Sequence, residues 1–196
     1  MITSVGIGSY LGGAAQLMDN PMLEVAAGTI LTVEARHDAY LRAGVGGSPF
    51  PTPFDTALTS VFAYNLAQMF IDSCPMQLPI INLPKLTLAA PPPSPHLAPL
   101  AAGTELIFRY DPSTFFIKVD PSKPLYIAFI NQITNATFAE TTSCGTGCAN
   151  VAAPPGLGNV AFAVLTTFGG DLNEDQVSQF GALAGQLRSS CFEAGC

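Results

Sequence analysis

Glu34 and His37 are the two residues whose types and spacing best suit a chemical role, because a Glu-x-x-His on a helix points both side chains at one place. At about 100° per residue, positions 23, 27, 30, 34, 37 and 41 share one side of a helix. Leu23, Ala27, Ile30 and Leu41 make that side apolar. The pair is therefore expected to face inward, where an unpartnered carboxylate or imidazole costs several kcal/mol. A metal ion would supply the partner. The competing reading is that the two side chains satisfy each other, or that neighbouring Arg36 and Asp38 hold this stretch at the surface.

Other chemistries find little support. The second histidine, His96, lies in a proline-rich stretch, and no Gly-x-Ser-x-Gly elbow is present. Gly44–Ser48 lacks the Lys-Ser/Thr ending of a phosphate loop. The remaining acids sit mostly in turns and strand ends, where solvation accounts for them. Cys144, Cys148, Cys191 and Cys196 form two close pairs with no histidine nearby, which favours disulfides over zinc and leaves three connectivities open. Cys74 is left over. Asn135-Ala136-Thr137 is a glycosylation acceptor triplet that counts only in a secreted chain.

The elements that must hold these residues begin with a glycine-rich apolar segment, Val5 to Met18. Its glycines each cost roughly 1 kcal/mol of helix stability relative to alanine, so a helix there requires close packing against a neighbour. Asn20 and Pro21 then read as a cap and first turn, opening a helix over Met22–Arg42. Gly44 and Gly46-Gly47-Ser48-Pro49 end it. Asp55-Thr56 is expected to cap a further helix over Ala57–Ile71. Residues 75–103 read as a proline-rich linker. After Gly103 come short β-type runs, Glu105–Tyr110, Thr114–Val119, Leu125–Ile130, Asn135–Glu140 and Val160–Phe168, at a spacing that fits a small sandwich. From Asp171 the tail is ambiguous between helix and strand. The expected fold class is α+β: helical residues 1–74, the linker 75–103, and an antiparallel β-sandwich-like domain over 104–196.

The bulk composition sets limits. Of 196 residues, 48% are hydrophobic and 11% charged, which is ample material for a core. A net charge of −7 with only seven basic residues argues against nucleic acid and against anionic membrane surfaces as partners. No apolar stretch reaches the length of a membrane span. Met1–Ala15 is apolar but lacks the basic start of a signal peptide, so it reads as a helix of the fold.

Ile30-Leu31-Thr32-Val33-Glu34-Ala35-Arg36-His37, Pro49-Phe50-Pro51-Thr52-Pro53-Phe54-Asp55-Thr56 and Phe70-Ile71-Asp72-Ser73-Cys74-Pro75 together resemble the fungal ferritin-like family, which includes secreted proteins associated with stress and desiccation. Val5-Gly6-Ile7-Gly8-Ser9-Tyr10-Leu11-Gly12 resembles that family's third bundle helix. The likeness covers residues 1 to about 84 and extends loosely beyond. It implies a dinuclear carboxylate site built from one Glu on each of two helices and Glu-x-x-His on each of the other two. Here Thr3 stands where the third helix would carry its Glu, and the first two helices have no counterpart. Only Glu34 and His37 carry over, so the chain is expected to be an N-terminally truncated version with an incomplete site and no turnover. No cofactor is expected in the monomer. Iron or manganese would enter if a partner chain, such as a second copy paired through the helical hairpin, completed the site. The cysteine pairs, Asn135 and the resemblance point to an extracellular or cell-surface location, although no signal peptide is visible. The alternative reading is a secreted structural or adhesive protein whose β-rich domain binds an extracellular partner.

Overall fold

The computed structural model describes residues 2–76, 78–90, 101–115, 119–120, 122–132, 136–157, 161–170 and 182–185, the last four and Met69 as backbone alone. Two helices open the chain, α1 (Ile2–Gly13) and α2 (Pro21–Gly44). The Asn20 side chain accepts a hydrogen bond from the Leu23 N–H at 3.3 Å, and Pro21 occupies the first turn. The other end closes by the two bonds of a Schellman turn. Gly46 N–H reaches Ala43 O at 3.1 Å and Gly47 N–H reaches Arg42 O at 2.8 Å. Gly46 takes φ +81°, which a glycine adopts without strain.

The neighbour that the α1 glycines need is the non-helical segment Thr56–Leu58. Leu58 N–H donates to Gly8 O at 2.9 Å. A Cβ on Gly8 would lie 2.8 Å from Leu58 side-chain carbons and the Thr56 carbonyl, and one on Gly12 would overlap the Leu58 carbonyl. Gly6 and Gly13 face open space. Because Thr56–Leu58 lies along α1, the third helix, α3 (Ser60–Ala67), starts later than the expected Ala57 and is capped by Thr59, whose hydroxyl accepts from Phe62 N–H at 3.3 Å.

The strands are β1 (Thr87–Ala90), β2 (Glu105–Arg109), β3 (Tyr126–Ile130), β4 (Thr137–Glu140), β5 (Thr142–Ser143), β6 (Cys148–Ala152), β7 (Phe162–Thr166) and β8 (Ala182–Gly185). They form two antiparallel four-stranded sheets, ordered β1-β2-β6-β5 and β4-β3-β7-β8. Strand alternation shows how the layers stack. On β3 and β7, Ile127, Phe129, Ala163 and Leu165 pack with Leu106, Phe108 and Val151 of the first sheet. The intervening Ala128, Ile130, Phe162 and Val164 pack with Val5, Leu58, Phe62 and Leu66 of the helical part. The fold is thus α+β in three layers: helices, second sheet, first sheet. The central strands are buried on both faces, which is why β7 is an unbroken apolar run closed by a buried threonine.

Two further features differ from the expected strands. Pro112–Thr114 forms a 3-10 turn capped by the Asp111 carboxylate, so no strand begins at Thr114. The stretch read as linker supplies β1 at the edge of the first sheet. The Asn65 side chain ties the approach to β1 down: its amide donates to Val61 O and Ile81 O at 2.7 and 2.8 Å and its oxygen accepts from Leu83 N–H at 2.6 Å.

Candidate functional site

The 24 residues of α2 carry two apolar stripes, and the packing chooses between them. Ala27, Leu31, Ala35 and Asp38 are half-buried or buried toward α1, together with Arg42. The stripe defined by Leu23, Ile30 and Leu41 opens to solvent, with these side chains 53%, 44% and 50% exposed. Glu34 and His37 go with that second stripe. Glu34 Oε1 and His37 Nδ1 lie 3.6 Å apart, with the glutamate side chain 30% and the imidazole 59% exposed. The expected coincidence of the pair with an apolar face holds, but the expectation that this face is interior in the chain is corrected. The physical reason is that α1 approaches over the small residues Ala27 and Ala35 and leaves the bulkier side uncovered.

The buried polar group of the hairpin is Asp38, which the helical pattern alone did not single out. Its Oδ1 accepts from the Thr3 and Ser4 hydroxyls at 2.8 Å each, and Oδ2 accepts from Arg42 Nε at 2.5 Å. Arg42 Nη2 also reaches the Ser4 hydroxyl at 3.5 Å. Burial alone would raise the Asp38 pKa. The Arg42 hydrogen bond and charge, with the Ser4 and Thr3 hydroxyls, outweigh it and hold the carboxyl below its ordinary value. Nearby Asp55 moves the other way. Desolvation and the Asp38 charge raise its pKa, opposed by Arg42. Ser4, Ile7, Asp38, Arg42, Asp55 and Thr56 line a shallow cleft between α1, α2 and the segment before α3. A signal was available in the i, i+4 spacing of Asp38 and Arg42, which suits an ion pair on one helix face. Thr3, standing where the resemblance expects a glutamate, thus belongs to this hydrogen-bond network.

The remaining predicted residues separate into three groups. Cys144 and Cys148 form a disulfide across the turn from β5 to β6. Cys191, Cys196 and Asn135 lie outside the described residues, as does His96. Cys74 is an exposed free thiol whose sulfur lies 2.9 Å from Met76 O.

As a metal centre, the Glu34–His37 pair offers one carboxylate and one imidazole, both reachable from solvent. Among the described residues, no group of three or more His, Cys, Asp and Glu side chains is placed to hold an ion. Two donors do not enclose a dinuclear cluster, so among the described residues the pair fits half of such a site. Among the described residues, no helix is long and apolar enough to cross a membrane.

Residues 1–47 match the family model of the ferritin-like domain. That span is α1, α2 and the connecting turn, ending at the Gly46-Gly47 stop, and it is about a quarter of the chain. The match covers the α1–α2 hairpin of the helical part, and α3 and the sheets lie beyond the matched region. No curated protein matches the chain.

Proposed function

We propose that the α1–α2 hairpin presents an incomplete dinuclear metal site, with Glu34 and His37 as its ligands, and that the single chain carries out no catalytic turnover. The supporting observation is the position of the pair: a carboxylate and an imidazole 3.6 Å apart on an uncovered apolar face of a ferritin-like helix. Iron or manganese is the metal class such a site takes when further donors close it, since Glu-x-x-His pairs on facing bundle helices bind those ions. The setting proposed is extracellular and stress-associated, on the strength of the family resemblance and of the Cys144–Cys148 bond, which favours an oxidising compartment.

Anaerobic titration with Fe²⁺ or Mn²⁺, followed by metal analysis after desalting, tests this reading. Wild-type protein should retain metal in proportion to the share of chains whose site a partner completes, and Glu34→Ala or His37→Ala should abolish retention without loss of helix content. Dioxygen uptake on adding Fe²⁺ should match the buffer blank while the protein is monomeric. Equal, background-level metal in wild type and both variants would remove the metal reading. The β-layers would then carry the function, as in a secreted structural or adhesive protein.

A further inference from the structure

The outward face of α2 has a symmetry of its own. Positions 30, 34, 37 and 41 follow the 4-3-4 spacing of a helix-pairing seam. They are also placed equally on either side of the Ala35–Arg36 bond, so an antiparallel copy of the helix would meet itself in register. We propose that two copies of this chain associate through this face, α2 against α2 in antiparallel sense. Ile30 then lies opposite the partner's Leu41, and Glu34 opposite the partner's His37. This names the partner for the half-site described above, but its apolar layers hold without any metal.

Three observations favour a second copy as the occupant. Charge is complementary under the two-fold: each Glu34 meets an imidazole, and no like charges face each other. Arg36 and Asp38 project off the seam, and Asp38 is already engaged by Arg42. The apolar surface is also continuous. Leu23, Ile30, Leu41 and Val45 lie along this face and are 53%, 44%, 50% and 54% exposed, so a second copy would cover an apolar strip that runs the length of the helix. Finally, polar central layers between apolar outer ones fix the register, as a polar residue does in coiled coils. A slip by one heptad would set Glu34 against Ile30 in one direction, or His37 against Leu41 in the other.

Light scattering coupled to size exclusion, run in EDTA over about 10–200 µM protein, tests the proposal. The expected result is a concentration-dependent dimer mass for wild type and a monomer mass for Ile30→Glu and Leu41→Glu. Both positions are exposed, so the two variants should keep wild-type circular dichroism and melting temperature. The register is tested by oxidising a Cys74→Ser chain that also carries Ile30→Cys and Leu41→Cys, which should give a covalent dimer. The same chain with Ile30→Cys and Val33→Cys should not. Monomer mass at every concentration, a dimer untouched by the two glutamates, or cross-linking in the second chain alone would overturn the proposal. Because EDTA is present throughout, a failure here leaves the metal titration unaffected, and a failure of metal binding leaves the dimer standing.

Discussion

Gly12 and Gly6 sit six residues apart on α1 and should respond to alanine with opposite signs. A Cβ at Gly12 would collide with the Leu58 backbone, which cannot move without breaking the Leu58 N–H bond to Gly8. Gly12→Ala is expected to cost more than about 2 kcal/mol, in the range of overpacked sites. At Gly6 nothing lies within reach, so Gly6→Ala should stabilise the helix by about 0.5–1 kcal/mol. Urea midpoints of the two variants against wild type check both signs. Asp38 gives the residue-scale pH prediction. Its folded pKa lies below the unfolded value, so its contribution is present above the unfolded pKa and is lost as pH falls through the folded one. Asp55 is raised, so it contributes in the opposite sense, favouring the folded state as it takes up its proton at low pH. Asp38→Asn should therefore cost about 3 kcal/mol at pH 7, as expected when a buried pair is broken, and less at pH 3. Asp55→Asn should leave stability at pH 7 unchanged or higher. Urea melts of both variants at pH 3, 5 and 7 distinguish the two trends.

At the scale of elements, the Cys144–Cys148 bond closes a short loop between β5 and β6, where Cys148 N–H also reaches Gly145 O at 3.1 Å. So small a loop restricts the unfolded chain only modestly, and Cys144→Ser with Cys148→Ser should cost about 2 kcal/mol. Thermal melts in matched buffers give the number, and a loss above roughly 4 kcal/mol would mean that the bond also holds β6 in place. That strand was among the least legible in the sequence. Cys148-Ala149-Asn150-Val151-Ala152 has one β-branched residue, and it is a strand because β2 and β5 pair with it on either side. Strands β2, β3 and β7 were legible because each is a compact run of Ile, Phe, Leu or Val. The hairpin shows the other limit of sequence reading. Periodicity found the stripe that holds Glu34 and His37, along with the cap at Asn20 and the stop at Gly46-Gly47. It could not say which stripe α1 would cover, because the inward one is made of Ala27, Ala35, Asp38 and Arg42, which hydropathy ranks low. Close approach of two backbones favours small side chains, and the hydrogen bonds from Thr3 and Ser4 make a buried aspartate affordable.

On the scale of the whole molecule, the helices and the second sheet share one hydrophobic core, and this fixes how the protein unfolds. Phe162 of β7 is 2% exposed and packs in the cluster that contains Val5 of α1 and Phe62 of α3. Its neighbours Ala163 and Leu165 point to the opposite side, into the cluster with Leu106 and Phe108. A strand wedged between two cores transmits the loss of either one to the other, since neither face can be exposed without the strand leaving both. Residues 1–47, where the family match lies, therefore reach the core of the second sheet through Val5. Phe162→Ala should cost about 3–5 kcal/mol, the usual range for a fully buried aromatic. The loss should appear in both layers together. Ellipticity at 222 nm, which follows the helices, and the near-ultraviolet tyrosine signal of a chain with Tyr10, Tyr40 and Tyr64 of the helices replaced by Phe, leaving Tyr110 and Tyr126 beside the sheets, should shift to the same lower urea midpoint. If instead the helical signal moved alone while the tyrosine signal kept its wild-type midpoint, the hairpin would be a separately folding unit, and the shared core would not be what holds it to the sheet.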